Sequence, residues 1–165
     1  MANNDDRQAA LRLAERAHEV GRVSGRDPWR KALEWVSRGR LGQRHGWQIP
    51  PQLDTPWQDT ISPLRRGWRE RAANLDGESI FSVDYRICRH CQLGWVEEPH
   101  TDPEYQRCGL ASAGLAALRA DNPGLAWHTL GGHFAEAQAF WIAVGADVPG
   151  GYQQREPCLH LNSSG

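Results

Sequence analysis

The chain has 165 residues and a formal net charge of −1, with 39% hydrophobic and 24% charged residues. These values are typical of a globular domain large enough to bury a core, and no run approaches the ~18 apolar residues of a membrane span. Its first residues, Met-Ala-Asn-Asn-Asp-Asp, lack the basic and apolar stretches of a signal peptide, so we expect a cytoplasmic protein that does not enter a membrane.

Charge is distributed unevenly along the chain. Residues 1–75 contain 14 basic and 9 acidic residues, whereas residues 76–165 contain 5 and 11. The basic residues are interspersed with acidic ones and form no recognised DNA-binding motif, so we expect no specific binding of nucleic acid. The excess of basic residues in this part of the chain is compatible with binding to another protein or to a second copy of the chain.

The N-terminal part is predicted to be mostly helical. Residues 5–20 place apolar side chains three and four positions apart, which is typical of an amphipathic helix. Asp27 and Pro28 suit the cap and first position of a second helix, which we expect to end at Gly39.

A long connection is predicted to follow. Residues 39–63 are rich in Gly and Pro, and Trp47 and Trp57 are expected to anchor them to the core. Another short helix is predicted over residues 64–73, before a turn at Asn74 to Gly77.

Two cysteines mark the next feature. Residues Glu78 to Ile87 alternate in the manner of a strand and lead into Cys88-Arg89-His90-Cys91. This spacing, with Gly94 three residues later, resembles a zinc knuckle, in which a tight turn brings two thiolates to one metal ion. The knuckle is predicted to be the hairpin that leads into the strand through Trp95.

The pair supplies half of a metal site, and Cys158 and His160 are candidates for the other half. Side chains at i and i+2 of a strand point the same way, so both can reach one ion. A disulfide is disfavoured in a cytosolic protein, and a thioredoxin-like pair lies at a strand–helix junction rather than in a hairpin. The remaining alternative to a structural zinc site is a set of plain buried thiols.

A strand, a loop and a helix follow the knuckle. The strand runs through Trp95 and Val96, and Pro99 and Pro103 are expected to stop its ladder. The loop Gln106–Ala111 then enters a helix with apolar residues at helical spacing. A glycine-bearing loop at a helix N-terminus presents unpaired N–H groups and the positive end of a dipole, which favours a phosphate.

The spacing Gln-x-x-Gly-x-Ala in this loop resembles the Arg/Gln-x-x-Gly-x-Gly/Ala pyrophosphate loop of the GNAT superfamily of N-acetyltransferases. The later predicted elements follow the same order as in that family: a strand over Leu125–Leu130, a helix over Phe134–Val144 and a final strand over Gly151–Leu161. The resemblance implies an α+β (α/β) fold with a mixed central sheet flanked by helices.

The resemblance covers residues 76–165 as an acyl-CoA-binding core. Residues 1–75 are expected to form a separate helical region with the Pro/Gly-rich connection. This region departs from the family, which opens with a strand, two helices and a second strand. Because those segments normally build the acceptor side of the cleft, the acceptor amine is not implied.

The resemblance implies acetyl-CoA as co-substrate and transfer of its acetyl group to an amine. A backbone N–H near Val96 would polarise the thioester carbonyl, and Glu97 and Glu98 are the candidate catalytic bases. The residues implied to hold the pyrophosphate are Gln106, Arg107, Cys108, Gly109, Leu110 and Ala111.

The proton donor of the family is missing. Its last helix commonly carries Asn-x-x-Ala-x-x-Phe-Tyr, whose Tyr protonates the leaving thiolate, but here Phe134 and Trp141 replace the Asn and the Tyr. An indole N–H does not dissociate at useful pH. Two functions therefore stay open: an N-acetyltransferase with structural zinc, and a catalytically inactive GNAT-like zinc-binding interaction module.

The resemblance also relates the two halves of the metal site. In the family's sheet the last strand runs antiparallel beside the second parallel strand. Its C-terminal end, with Cys158 and His160, would then lie near the start of the strand through Trp95, beside Cys88 and Cys91. The expected result is a Cys3His zinc site remote from the pyrophosphate loop.

Overall fold

The computed structural model describes residues 4–22 and 55–162. Two features predicted from the sequence lie outside these residues: the helix from Asp27 to Gly39, and Trp47 with most of the Pro/Gly-rich connection around it.

The described part contains four helices and seven strands. The helices are α1 (Asn4–Glu15), α2 (Leu110–Asp121), α3 (Gln138–Gly145) and α4 (Leu159–Asn162), with 3-10 turns at Pro103–Tyr105 and Ala135–Ala137. The strands are β1 (Val20–Arg22), β2 (Trp57–Ile61), β3 (Arg69–Leu75), β4 (Glu78–Cys88), β5 (Leu93–Thr101), β6 (Ala126–Thr129) and β7 (Gln153–Gln154). None of these helices is long and apolar enough to span a membrane.

The strands form one mixed sheet in chain order, from β1 to β7. Strands β2 to β5 are antiparallel neighbours, β1 is parallel to β2, and β5, β6 and β7 are parallel to one another. β6 pairs with β5 only over Leu93–Trp95, and β5 then continues to Thr101 without β6 beside it. The predicted α+β class with a mixed central sheet is therefore confirmed.

The two faces of the sheet bury different clusters. Helices α1, α2 and α3 cover one face, where Phe81, Val83 and Val96 contribute to the main core. The other face holds a smaller cluster of buried residues, and Cys158 and Leu161 from the C-terminal segment pack against it. Its members are Trp68, Cys88, Leu93 and Trp95. Because side chains alternate along β4 and β5, one pair of strands supplies both clusters.

The prediction that residues 1–75 are mostly helical is wrong for their described part, which contributes β1, β2 and β3 to the sheet beside the helix α1. The helix predicted over residues 64–73 is wrong, because β3 occupies its second half and pairs with a strand on each side. This pairing overrides the helix propensity of its Ala, Arg and Glu residues. Trp57 lies in β2 rather than in a loop, but its anchoring role is confirmed: it is 0% exposed, and its Nε1 donates to the Leu13 carbonyl at 2.9 Å.

β5 also runs further than predicted, through Pro99. Glu98 and Pro99 together oppose the single β4 residue Val83, which makes a β-bulge, and Glu98 has a φ of 49°. Proline donates no ladder hydrogen bond and is tolerated at such a bulge. The expectation that Pro99 would stop the ladder is therefore wrong.

The C-terminal strand differs from its prediction in length and direction. β7 contains two residues and is parallel to β6, whereas the sequence predicts a strand over Gly151–Leu161 and the resemblance implies an antiparallel direction. After β7 the chain returns towards the β4–β5 hairpin, where Trp95 Nε1 donates to the Arg155 carbonyl at 2.9 Å. The Arg86 guanidinium donates to the Leu161 carbonyl. This return, rather than an antiparallel strand, carries the C-terminal segment to the hairpin.

Candidate metal centre and neighbouring clefts

Three cysteines and one histidine meet at the β4–β5 hairpin. The donor atoms of Cys88, Cys91, Cys158 and His160 all lie within 4.8 Å of one another. Cys91 Sγ is 3.2 Å from His160 Nδ1. A tetrahedral ion about 2.3 Å from each sulfur would hold the sulfurs roughly 3.8 Å apart. The predicted group is therefore assembled with a spacing compatible with a metal site.

The turn also directs backbone N–H groups at the first thiol. The pKa of Cys88 lies below its ordinary value, mainly because the Cys91 backbone N–H bonds to its sulfur, and the His90 N–H adds a smaller effect. Burial raises the pKa of Cys91 to about 11, and the neighbouring thiols of Cys158 and Cys88 add to the rise. Thiolates this close repel one another unless a cation lies between them, which favours a bound metal.

Gln92 and Gly94, which follow the second cysteine of the pair, shape the hairpin. Gln92 has a φ of 53°, so it occupies the left-handed position of the turn. Gly94 leaves room for a neighbouring ring, since a Cβ at this position would lie 2.7 Å from the Trp127 ring. The glycine is needed because β6 brings that ring against the β5 backbone.

The metal-site residues differ in exposure. Cys88 is buried, Cys91 and Cys158 are half-buried, and His160 is exposed. The rings of His160 and His90 have centroids 4.2 Å apart. Four protein donors are enough for a tetrahedral shell, so a metal ion bound here would keep no open position.

A cleft of about 760 Å³ lies where β5 extends beyond β6. It is bounded by Thr101 of β5, the start of α2, and the segment from Phe134 to Trp141; we call it the helix-side cleft. The residues of the predicted pyrophosphate loop that line it are Gln106, Arg107, Gly109, Leu110 and Ala111. Cys108 and Val96 do not line it, because they are 2% and 0% exposed and belong to the core.

The loop at the start of α2 has an unusual backbone. Arg107 and Gly109 have φ values of 65° and 80°, and no side chain caps the helix at Gly109. Arg7 of α1 fixes the loop by donating to the carbonyls of Glu104 at 2.6 Å and Gln106 at 3.3 Å. The loop thus borders the cleft with first-turn N–H groups that lack a side-chain cap and with the charge of Arg107.

The two candidate bases lie outside the helix-side cleft. Glu97 Oε1 accepts hydrogen bonds from the backbone N–H of Leu130 at 2.6 Å and of Gly131 at 3.3 Å. Glu98 Oε1 accepts one from Arg65 at 2.5 Å. Glu97 therefore ties β5 to the loop after β6, at the place where the two strands part.

Trp141 is buried in a group of aromatic rings. It lies on His133 with centroids 4.7 Å apart and on Tyr152 at 5.3 Å. Tyr105 brings a phenol to the wall of the helix-side cleft, and burial together with nearby carboxylates raises its pKa. Sequence reasoning missed Tyr105, whose neighbours form no recognisable motif.

A second cleft of about 460 Å³ lies on the opposite face of the sheet. It is lined by Glu70 of β3, Asp84 of β4, and Glu98 and His100 of β5; we call it the acidic cleft. Pro99 lines both clefts. Sequence reasoning did not identify Glu70, because its strand was predicted to be a helix.

Comparison with known proteins identifies no relative. No protein-family model, curated protein or solved structure matches the chain. The metal group and the clefts are therefore interpreted from their own chemistry.

Proposed function

We propose that the protein is an acyl-CoA-dependent N-acetyltransferase with a structural zinc site, acting on an amine. The observation that carries this proposal is the helix-side cleft, which combines an uncapped helix N-terminus with Arg107 at the end of a parallel strand pair. Ligands of open sheets commonly bind beyond the carboxyl ends of parallel strands.

Pyrophosphate recognition is assigned to the start of α2. The first-turn N–H groups and the helix dipole favour an anion, and the Arg107 guanidinium adds a charged donor. The apolar walls from Leu110, Phe140 and Trp141 suit the less polar part of the coenzyme. The size of the cleft is sufficient for part of such a ligand.

Acetyl transfer requires few groups from the protein. The amine nitrogen attacks the thioester carbonyl carbon, a C–N bond forms, the C–S bond breaks, and the coenzyme leaves as a thiolate. The proton lost by nitrogen passes to a base, for which we retain Glu97 and Glu98 as candidates. Trp141 cannot protonate the thiolate, so water supplies that proton in this proposal.

Zinc is the metal that best fits the Cys3His group. Thiolate and imidazole donors are soft or borderline ligands, and four of them match a closed tetrahedral site. The ion would hold the C-terminal segment on the β4–β5 hairpin. A cytoplasmic location suits this role, because a reducing compartment keeps the thiols free to bind metal.

The inactive interaction module remains the second candidate. The observation that favours it is Trp141, which is 6% exposed and lies where the family has its proton donor. Acetyl transfer to a panel of amines separates the two functions. A protein that binds acetyl-CoA but transfers nothing, both as wild type and as Trp141→Tyr, would be the module.

Calorimetric titration with acetyl-CoA tests the proposed function. We expect saturable binding that Arg107→Asn weakens roughly tenfold, the effect of one charge-assisted hydrogen bond. Asparagine tolerates the left-handed backbone of this position, so the change removes the charge without new strain. Arg12→Gln, on an exposed part of α1, is the matched control and should bind normally. Absence of binding by the wild type would contradict the proposal.

A further inference from the structure

The sulfurs of the Cys3His group differ in their access to solvent. Cys88 is 5% exposed and belongs to the smaller buried cluster under the C-terminal segment. Cys91 and Cys158 are half-buried, and His160 is exposed. A small solute therefore approaches the group from the side of His160, where Cys91 and Cys158 are the accessible sulfurs.

The two accessible sulfurs come from different segments of the chain. Cys91 lies in the turn between β4 and β5, and Cys158 directly precedes α4. Both are free thiols, and their sulfurs lie within 4.8 Å of each other. A disulfide holds its sulfurs about 2.0 Å apart. Rotation of the two side chains is therefore the movement that would bring these sulfurs to bonding distance.

Cys88 is less suited to pair with Cys91. Its sulfur accepts hydrogen bonds from the backbone N–H groups of Cys91 and His90. A bond from Cys88 to another sulfur would have to break these contacts and draw the sulfur out of the buried cluster. Burial also protects a thiol from oxidants, because susceptibility to oxidation follows exposure and thiolate character.

A hydroperoxide can join two thiolates in two steps. In the first, one sulfur attacks an oxygen of hydrogen peroxide, the O–O bond breaks, and a sulfenic acid and water form with uptake of one proton. In the second, the other thiolate attacks the sulfenic sulfur, the S–O bond breaks, and a second proton leaves with the oxygen as water. The sulfurs lose two electrons and the peroxide gains them. The product is the same whichever sulfur reacts first.

We propose that Cys91 and Cys158 form an oxidative modification site, at which hydrogen peroxide produces a disulfide between them and releases the bound zinc. Zinc would be left with two of its four ligands, too few for a closed tetrahedral site. The release of zinc rests on the proposed function, whereas the disulfide does not. The disulfide joins the same two segments as the metal, so the C-terminal segment stays on the hairpin in the oxidised chain.

Peptide mapping of the full chain after peroxide treatment tests this proposal. Trypsin cleaves after arginine and therefore places each cysteine on a separate peptide. The cuts that separate the four cysteines follow Arg86, Arg89, Arg107 and Arg155. We expect a linked pair of peptides, 90–107 and 156–165, which a thiol reductant separates. A colorimetric chelator should detect about one zinc released per disulfide.

Two variants and one melting experiment sharpen the test. Cys158→Ser should abolish the linked pair, whereas Cys108→Ser should leave it unchanged, because Cys108 is buried outside the metal group. The oxidised chain should melt roughly 5–10 °C above the reduced, metal-free chain, because the disulfide closes a long loop. An oxidised chain that melts no higher would contradict the link between the two segments.

Two mapping results would overturn the proposal. One is a chain whose thiols stay intact in millimolar hydrogen peroxide. The other is a main product that joins Cys88 to Cys91, seen as linked peptides 87–89 and 90–107. If Cys158→Ser does not fold, the map of the wild type decides. Zinc content before oxidation is a separate measurement: its absence contradicts the structural zinc of the proposed function, while the linked pair is still expected.

Discussion

Cys91 Sγ lies 3.2 Å from His160 Nδ1, although 69 residues separate them in the chain. The contact joins the β4–β5 hairpin to the last helix, α4. It forms because the chain returns after the short β7 and packs on Trp95 and Cys88. A metal ion at this point would link the hairpin to the C-terminal segment.

The first prediction is that the purified protein contains about one zinc per chain. Cys88→Ser should lose the metal and lower the melting temperature, because binding to a structural site contributes to folding free energy. Elemental analysis and thermal unfolding measure the two effects. Cys108→Ser is the control for metal content, since Cys108 is buried outside the metal group. A metal-free wild type with the same melting temperature after zinc addition would refute the metal site.

The hairpin residues give a second prediction. Gln92→Gly should stabilise the fold by about 0.5–1 kcal/mol, because glycine adopts a φ of 53° without strain. Gly94→Ala should destabilise it by about 1–3 kcal/mol, because the new Cβ would overlap the Trp127 ring. Denaturant unfolding measures both changes. Equal stability of the two variants would contradict the geometry described for the hairpin.

A third prediction concerns the buried carboxylate of Asp59. It accepts hydrogen bonds from Arg69 at 2.6 Å, Arg71 at 2.8 Å and the Tyr85 hydroxyl at 2.6 Å, and Arg71 is 0% exposed. Asp59→Asn should cost about 3 kcal/mol, since it leaves a buried guanidinium without its main counter-ion.

Asp76→Asn is the control for this change. Asp76 is exposed and has a φ of 52°, which asparagine tolerates, so its stability should stay close to that of the wild type. Denaturant unfolding compares the two variants. A loss at Asp59 no larger than the loss at Asp76 would contradict the structural role of the buried carboxylate.

The acidic cleft predicts a pH-dependent effect of Glu70→Gln. Asp84, Glu98 and His100 face Glu70, and burial and the Asp84 charge raise the pKa of Glu70. A carboxyl with a raised pKa in the folded state favours folding at low pH, and this contribution is lost as the pH rises through that pKa. Near neutral pH, Glu70→Gln should therefore melt at a higher temperature than the wild type.

The difference should disappear at about pH 3, where the carboxyl is protonated in both folded and unfolded chains. Melting curves at the two pH values measure it. A lower melting temperature of Glu70→Gln at neutral pH would mean that the carboxylate stabilises the fold, contrary to the description of the cleft.

Local patterns predicted the second half of the chain well. The alternation of β4, the hairpin at Cys88 and the helical spacing after Leu110 all correspond to elements of the structure. The metal group was predicted from the chemistry of its side chains. Its route of assembly was not, because the return of the C-terminal segment depends on packing against Trp95, which no local pattern encodes.

The predictions failed where strand pairing outweighs local propensity. β3 contains helix-forming residues but is held between β2 and β4. Pro99 lies in β5 because a bulge accommodates it, and the same bulge forms the acidic cleft. The cleft on that face could not be anticipated, because it depends on the register of three strands.

The most direct test of the proposed function is an NMR titration of the isotope-labelled protein with acetyl-CoA. We expect saturable shifts of the amide signals of Gly109, Leu110, Ala111 and Ser112, at the start of α2. Gly109→Asp should abolish them, because it adds a negative charge next to the first-turn N–H groups, in a left-handed backbone position. Absence of shifts in these four residues at millimolar acetyl-CoA would contradict the proposed function.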